Sequence, residues 1–434
     1  VKVTIVGTGY VGLTAGVCLA DIGHIVVCVD IDEQKIRNLS QGNSPIYETG
    51  LEDLLKKVLA ENRITFTTDI HLGMKETDIV FFAVDTPPGE YGKANLSNLL
   101  TAVRNCARAV STETVFVNKS TAPVGTIEKL KEVIAQEVGN IPFSVASNPE
   151  FLSEGNAVRD FLLPNRIVIG VEDERAKETL QELYRPIVSD EHPLIITTIP
   201  TAELIKYTAN AFLALKVSFI NEIADFCERV GADVKDIAHG IGMDTRIGHQ
   251  FLRAGIGYGG SCFGKDVKAL VASGEEYGFE FKIIKALAQV NDLRYQIVLN
   301  KLKKHIPNIK GTCIAVLGLA FKPMTNDVRD APSHRIVYEL VEQGARVNAF
   351  DPVANDEFKK NFSRNKDIYL ADSLYETLEG VDALLILTEW NEFKHIDLQR
   401  AAEMMRGKLI IDGRNIFERT YAESIGFVYE GIGR

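Results

Sequence analysis

The sequence contains no CxxC pair and no cysteine beside a histidine at zinc-ligand spacing, so no metal site is expected. Its six cysteines are Cys18, Cys28, Cys106, Cys227, Cys262 and Cys313. Most lie in apolar runs, where a reduced, buried thiol is expected, as in a reducing cytoplasm. No apolar run reaches the roughly 18–20 residues of a membrane span. Positive charge is in the minority: 48 Lys and Arg face 59 Asp and Glu, a net charge of -11. That balance excludes a basic nucleic-acid footprint over the whole chain. An anionic ligand must then be met by backbone amides and a few placed cations. No segment is of low complexity. The chain opens directly on a strand pattern, VKVTIVG, so no signal peptide is expected before the fold.

What is present is ordinary globular material, 46% hydrophobic and 25% charged over 434 residues, enough for two or three domains. KVTIVG reads as a strand, GTGYVG as a turn, LTAGVCLADIG as a helix closed by Gly23, and HIVVCVD as a second strand. Further strand patterns lie near 78–84, 114–120, 143–148 and 166–171, with helical patterns between several of them. Alternation of this kind predicts a parallel sheet covered on both faces. From Thr201 the apolar residues fall at helical spacing for some 30 residues, with no Pro or Gly between Thr201 and Val230. Helical texture continues to about residue 305. At Thr312 the strand–turn–helix texture returns, and VDALLILTEW resembles TDIVFFAVDTP of the first part. The expected fold class is α/β, with two Rossmann-like parallel-sheet domains (1–198 and 307–434) joined by a central, mainly helical dimerisation region (199–306).

Gly7, Gly9 and Gly12 form G-x-G-x-x-G between a strand and a helix, and Asp30 ends the next strand 18 residues after Gly12. Gly7 permits the tight turn, Gly9 lets backbone approach a pyrophosphate, and Gly12 allows close helix–strand packing. The helix N-terminus offers N–H groups to the phosphates. Asp30 suits a ribose diol and repels a 2′-phosphate, so NAD is expected over NADP. The later GLAFK segment lacks the spaced triplet, and a second dinucleotide site is not expected there.

GIGYGGSCFGKD (255–266) is the most unusual segment. Its dense glycines let backbone approach a ligand, and a thiol, Lys265 and Asp266 follow; a nearby cation favours the reactive thiolate. Lys206 and Asn210, at i and i+4, share a helix face and suit a developing oxyanion, although spacing alone does not separate this from a solvated face. SNPEFLSEG places Glu150 and Glu154 one helical turn apart, and NKSTAPVGT places Thr121 at a strand end, on the side where α/β sheets bind ligands. Helix capping by either Glu stays open.

The stretches GTGYVGL, VDTP, KSTAPVGT, NPEFLSEG, AELIKYTANAFLALKVSFINE, GMDTRIG, FLRAGIGYGGSCFGKD and LGLAFKPMTNDVRDAPS, in that order, resemble the UDP-glucose/GDP-mannose dehydrogenase family. The resemblance runs along essentially the whole chain and lies nearest the UDP-glucose 6-dehydrogenases. It implies that Cys262 is a nucleophile, that Lys206 and Asp266 hold or relay a proton, and that Asn210 with Lys206 stabilises an oxyanion. Thr121 and Glu154 would position water and cofactor, with Glu154 a candidate base. Val11, Asp30, Lys35, Thr86, Lys265 and Arg329 match NAD-contacting positions beside the glycines. Glu150, Phe151, Leu152, Phe251, Leu252, Gly255, Gly259 and Lys322 match the side that binds a UDP-sugar. Arg246 matches an arginine that reaches a neighbouring subunit, so a homodimer or larger homo-oligomer is implied. The activity implied is NAD-dependent four-electron oxidation of a UDP-glucose C6 alcohol through aldehyde, thiohemiacetal and thioester. The alternatives are oxidation of GDP-mannose, or a single hydride transfer of the 6-phosphogluconate or hydroxyacyl type. Ser153 departs from the Arg or Ala of many relatives, without evident consequence.

Overall fold

The computed structural model describes residues 1–89, 92–362 and 365–434. The chain forms two compact units, Val1–Ala209 with Ala272–Phe279, and Asn210–Val271 with Glu280–Arg434. Among the described residues, no helix is long and apolar enough to cross a membrane.

The first unit is built on eight strands: β1 (Lys2–Val6), β2 (Ile25–Val29), β3 (Ile64–Thr67), β4 (Ile79–Phe82), β5 (Thr114–Asn118), β6 (Phe143–Ser147), β7 (Ile167–Val171) and β8 (Leu194–Thr197). Their order is β3-β2-β1-β4-β5-β6-β7-β8. The first six follow the Rossmann order, with the switch point between β1 and β4. β4 and β5 are buried along their whole length, as expected of central strands covered on both faces.

One pairing departs from the expected parallel sheet: β7 runs antiparallel to β6. Antiparallel neighbours are joined at one end, so residues 148–166 stay at the carboxyl edge of β6. A parallel crossover would carry the chain back to the opposite edge. Strand direction leaves no mark on hydrophobic alternation, and the sequence pattern therefore missed it.

The second unit carries β9 (Cys313–Leu317), β10 (Arg346–Phe350), β11 (Ile368–Leu370), β12 (Ala383–Ile386), β13 (Leu409–Asp412) and β14 (Val428–Glu430). These are all parallel, in the order β11-β10-β9-β12-β13-β14. The supersecondary repeat seen in the sequence is thus a repeat of strand order. The first turns are alike too. Gly7 and Gly318 both have positive φ, and each donates its N–H to the last residue of the neighbouring strand, Val29 or Phe350.

The helical region contains the helix Ile199–Val230, with Pro200 in its first turn, where a missing N–H costs nothing. The helices Val234–Gly242, Phe263–Glu276, Lys282–Leu293 and Gln296–His305 follow. The helical region is divided between the two units.

Candidate active site

The glycine turn of the first unit has the geometry that its spacing implies. Gly7 has φ +95°, and a Cβ there would lie 2.6 Å from the Ala83 carbonyl oxygen. A Cβ on Gly12 would lie 1.9 Å from the Gly7 carbonyl oxygen. Gly9 is the N-cap of the helix Tyr10–Asp21, which has no side-chain cap and no acid in its first turn. A Cβ at Gly9 would meet open space. This uncapped, glycine-lined helix N-terminus fits a pyrophosphate.

Asp30 accepts from the Thr8 N–H at 2.8 Å, the Thr8 hydroxyl at 2.6 Å and Lys35 Nζ at 3.0 Å. Burial pushes its carboxyl up, but these bonds outweigh burial and hold it below the usual value. Val11 lies half-buried in the first turn of the helix. The corresponding acid of the second unit, Asp351, is fully buried and accepts from Leu319 N–H, Ala320 N–H and Trp390 Nε1. Asp30 has internal donors too but is half-buried, whereas Asp351 is 1% exposed and so poorly placed to serve a ribose.

Beyond the carboxyl ends of β5 and β6 lie Thr121 and the segment 148–156. Thr86 donates to the Thr121 carbonyl at 2.7 Å. The expectation of a helical turn from Glu150 to Glu154 is corrected, because the segment is a loop. The Glu150 carboxylate turns back to accept from the Leu152 N–H, and Gly155 takes φ +85°. Neither supplies the i to i+4 backbone hydrogen bond that defines a helical turn. Glu150 is buried and accepts from Lys206 Nζ at 2.8 Å. Burial pushes its carboxyl up, but the Lys206 charge and hydrogen bond override this and hold it below its usual value. The Phe151 ring lies under the Arg166 guanidinium at 3.7 Å, with Lys206 Nζ 5.5 Å from its centroid. Leu152 and Glu154 are half-buried.

Lys119 belongs to the same neighbourhood and was missed at the sequence level, although it opens the KSTAPVGT motif. It is buried and donates to Asn148 Oδ1 at 2.9 Å. Burial pushes its ammonium down to about 8.

In the second unit, Cys262 immediately precedes the helix Phe263–Glu276, and its carbonyl accepts the Asp266 N–H. It is the exposed cysteine of the six; four are buried and Cys313 is intermediate. The positive end of the helix dipole favours negative charge on its sulfur. Ser261 Oγ is 3.5 Å from Sγ. Asp266 is buried, accepts from Asn210 Nδ2 at 2.6 Å and lies 3.9 Å from Lys265 Nζ.

On the loop before Cys262, Leu252 is buried and Phe251 takes φ +64°. A Cβ on Gly255 would lie 2.9 Å from the Gly413 carbonyl oxygen, and one on Gly259 2.5 Å from that of Asp330. Arg414 was also missed. It comes within 3.5 Å of the Gly257 carbonyl and lines a cleft of about 400 Å³ with Leu252 and Ala254. Only a lone Arg after IDG marked it in the sequence. Lys322 Nζ lies 5.5 Å from the Phe321 centroid, and Arg329 pairs with Asp327. Arg246 stands apart from these groups, exposed and paired with Asp244 at 2.6 Å.

A larger cleft of about 1220 Å³ in this unit contains none of the residues matched to NAD or sugar contacts. Several of its charges pair with one another, Lys301 with Glu228 at 2.8 Å and Arg434 with Asp233 at 3.0 Å.

A Rossmann sheet with this turn and acid defines a dinucleotide-binding domain suited to NAD. Residues 1–188 match the NAD binding domain of the UDP-glucose/GDP-mannose dehydrogenase family, 200–293 its central domain and 315–419 its UDP binding domain. The chain belongs to that family. It is 46% identical over 438 residues to a UDP-glucose 6-dehydrogenase of Rhizobium meliloti, covering 100% of this chain and 99% of that protein. It is 45% identical over 435 residues to the UDP-glucose 6-dehydrogenase TuaD of Bacillus subtilis, covering 100% and 93%. The solved UDP-glucose dehydrogenase of Pyrobaculum islandicum superposes with a TM-score of 0.93 at 36% identity, covering 100% and 97%.

Proposed function

We propose that the protein oxidises the C6 alcohol of UDP-glucose to the carboxylate of UDP-glucuronate, with Cys262 as covalent nucleophile. The observation that carries the reading is an exposed thiol at a helix N-terminus, one turn before a buried Asp266 held by Asn210. Full-length similarity to UDP-glucose 6-dehydrogenases supports the choice of sugar.

Gly7, Gly9, Val11, Gly12, Asp30, Lys35, Thr86, Thr121, Glu154, Lys265 and Arg329 would hold NAD, which when bound accepts one hydride at each oxidation. Lys206 and Asp266 hold and relay the proton of the reacting hydroxyl, and the first oxidation leaves an aldehyde. Cys262 Sγ adds to the aldehyde carbon. A C–S bond forms, and the carbonyl oxygen gains charge that Asn210 and Lys206 stabilise until it is protonated. Oxidation of this thiohemiacetal leaves a thioester. Water then adds, with Glu154 and Asp266 taking its proton, and the C–S bond breaks to return the thiolate. Tethering keeps the aldehyde from hydrating or escaping before the second oxidation. Glu150, Phe151, Leu152, Phe251, Leu252, Gly255, Gly259 and Lys322 line the side that receives the UDP-sugar.

The functional division is 1–198, 199–306 and 307–434, supported by the separate NAD binding, central and UDP binding matches. The enzyme acts in the cytoplasm, where its thiol stays reduced, and as a homodimer or larger homo-oligomer. Phe212, Phe219 and Phe226 are exposed at seven-residue intervals on the helix Ile199–Val230, an apolar stripe suited to a second copy. Arg246 would reach the neighbouring subunit.

Steady-state kinetics with a substrate panel test the sugar. UDP-glucose is expected to give a kcat/KM at least about a hundredfold above GDP-mannose, since a pocket built to hydrogen-bond one base rejects another strongly. The reverse preference would move the protein to the other branch of its family.

A further inference from the structure

The Gly255–Gly260 segment has no regular secondary structure, so its backbone groups must find partners elsewhere. Three side chains without an assigned role supply several of them. Asn221 Oδ1 accepts from the Gly255 N–H at 2.8 Å, and Arg294 Nε donates to the Gly255 carbonyl at 2.8 Å. Asn291 grips one residue on both sides: its Oδ1 accepts from the Tyr258 N–H at 2.8 Å and its Nδ2 donates to the Tyr258 carbonyl at 3.2 Å. Asn221 is 1% exposed and Arg294 4%. Both are costly polar burials unless their bonds are made.

The grip extends to both flanks of Cys262. Asn210 and Asn221 are eleven residues apart on one helix, about three turns at 3.6 residues per turn, and so share a face. Asn210 bonds Asp266 after the thiol, and Asn221 bonds Gly255 before it. Asp225, one turn beyond Asn221, binds the Arg294 guanidinium. The Phe263 ring, adjacent to Cys262, meets the Tyr258 ring edge-on at 5.7 Å and the Phe251 ring at 6.1 Å. Holding the Tyr258 backbone therefore also holds a neighbour of the thiol. Glycines would otherwise leave this segment conformationally free. The clamp is fitted to the glycines: a Cβ on Gly257, which has φ +98°, would lie 2.7 Å from Asn291 Oδ1.

We propose that Asn221, Asn291 and Arg294 are positioning residues that set the Gly255–Gly260 segment, and with it Cys262, in the conformation that receives the nucleotide sugar. The role in turnover rests on the function proposed above; the ordering of the segment does not.

The test uses Asn291→Ala and Asn291→Asp in the full-length protein. Asn291→Ala removes both bonds to Tyr258, whereas Asn291→Asp keeps the acceptor for its N–H. Hydrogen exchange is followed by mass spectrometry, with KM for UDP-glucose and NADH affinity by fluorescence. For Asn291→Ala, peptides covering 255–262 exchange at least tenfold faster, KM for UDP-glucose rises at least tenfold, and NADH affinity stays within twofold. Asn291→Asp recovers most of the KM. Unchanged exchange in 255–262 would overturn the proposal, as would faster exchange with an unchanged KM. If Asn291→Ala fails to fold, Asn221→Ala, which removes the acceptor for the Gly255 N–H, decides: unchanged exchange in 255–262 contradicts the clamp, and faster exchange confined to that segment supports it. If the intact protein does not turn over UDP-glucose, the functional reading fails, and the exchange measurement still decides the clamp.

Discussion

Cys262→Ser is expected to lower turnover of UDP-glucose by about a thousandfold or more, the scale of losing an activated nucleophile. The residue is exposed, so its replacement leaves no cavity. Thermal stability and UDP-glucose affinity should therefore match the intact protein. The serine hydroxyl is of similar size but a far weaker nucleophile at neutral pH, and adds poorly to an aldehyde. Rapid-quench product analysis and a thermal melt check both halves. A variant that keeps more than a tenth of the turnover would remove Cys262 from the chemistry. A variant that melts far below the intact protein would make the residue structural.

Lys206→Met is expected to destabilise the first unit as well as stop turnover. It leaves Glu150 as a buried carboxylate without the ammonium that lies 2.8 Å away, and breaking a buried pair costs about 3–5 kcal/mol. For a unit of this size the loss of Tm is on the order of 10 °C. The pH dependence carries a sign. In the intact protein the folded Glu150 carboxyl sits below its ordinary value of 4.5, so its contribution to stability is present above that pH. The contribution is lost as pH falls through the lower folded value. Without Lys206 only the Leu152 N–H and the Lys119 charge still oppose desolvation, and the folded carboxyl is expected to move above its ordinary value. The folded state then holds the extra proton, and stability falls as pH rises through that window. The gap in Tm between the two proteins should thus widen from about pH 4 towards neutrality, measured by melts across that range. A constant gap would mean that the loss is one of packing alone.

Much of the fold was legible because the central strands are buried on both faces and read as continuous apolar runs. The long helix was legible from uninterrupted helical spacing, and the structure extends it by two residues at the start, through Pro200. The strands that the pattern missed in the first sheet are its two edges, Ile64–Thr67 and Leu194–Thr197. Ile64–Thr67 alternates apolar and polar but over only four residues, and Leu194–Thr197 is four residues with no buried position, so neither stands out. The edges of the second sheet, Ile368–Leu370 and Val428–Glu430, are shorter still at three residues each. Leu409–Asp412 is a buried inner strand, but four apolar residues alone do not separate a strand from a turn of buried helix.

In the site, spacing carried the glycine turn, which depends on local backbone geometry; it put Lys206 and Asn210 on one helix but not their partners, Glu150 and Asp266. It failed for Glu150 and Glu154, where a carboxylate bonding its own backbone replaced the helical turn. It could not find Lys119, Arg414 or the Asn291 clamp. Their roles come from partners tens to hundreds of residues away, and no local period encodes such contacts.

The account turns on a four-electron oxidation through a covalent tether, and its most direct test is the number of NADH formed per UDP-glucose consumed by the intact protein. NADH is read by absorbance with limiting sugar, and the acid product is quantified in the same sample. Two NADH per UDP-glucuronate, with no aldehyde released, is the result expected. One NADH per sugar with free aldehyde as product would contradict the tether and leave an ordinary alcohol dehydrogenase.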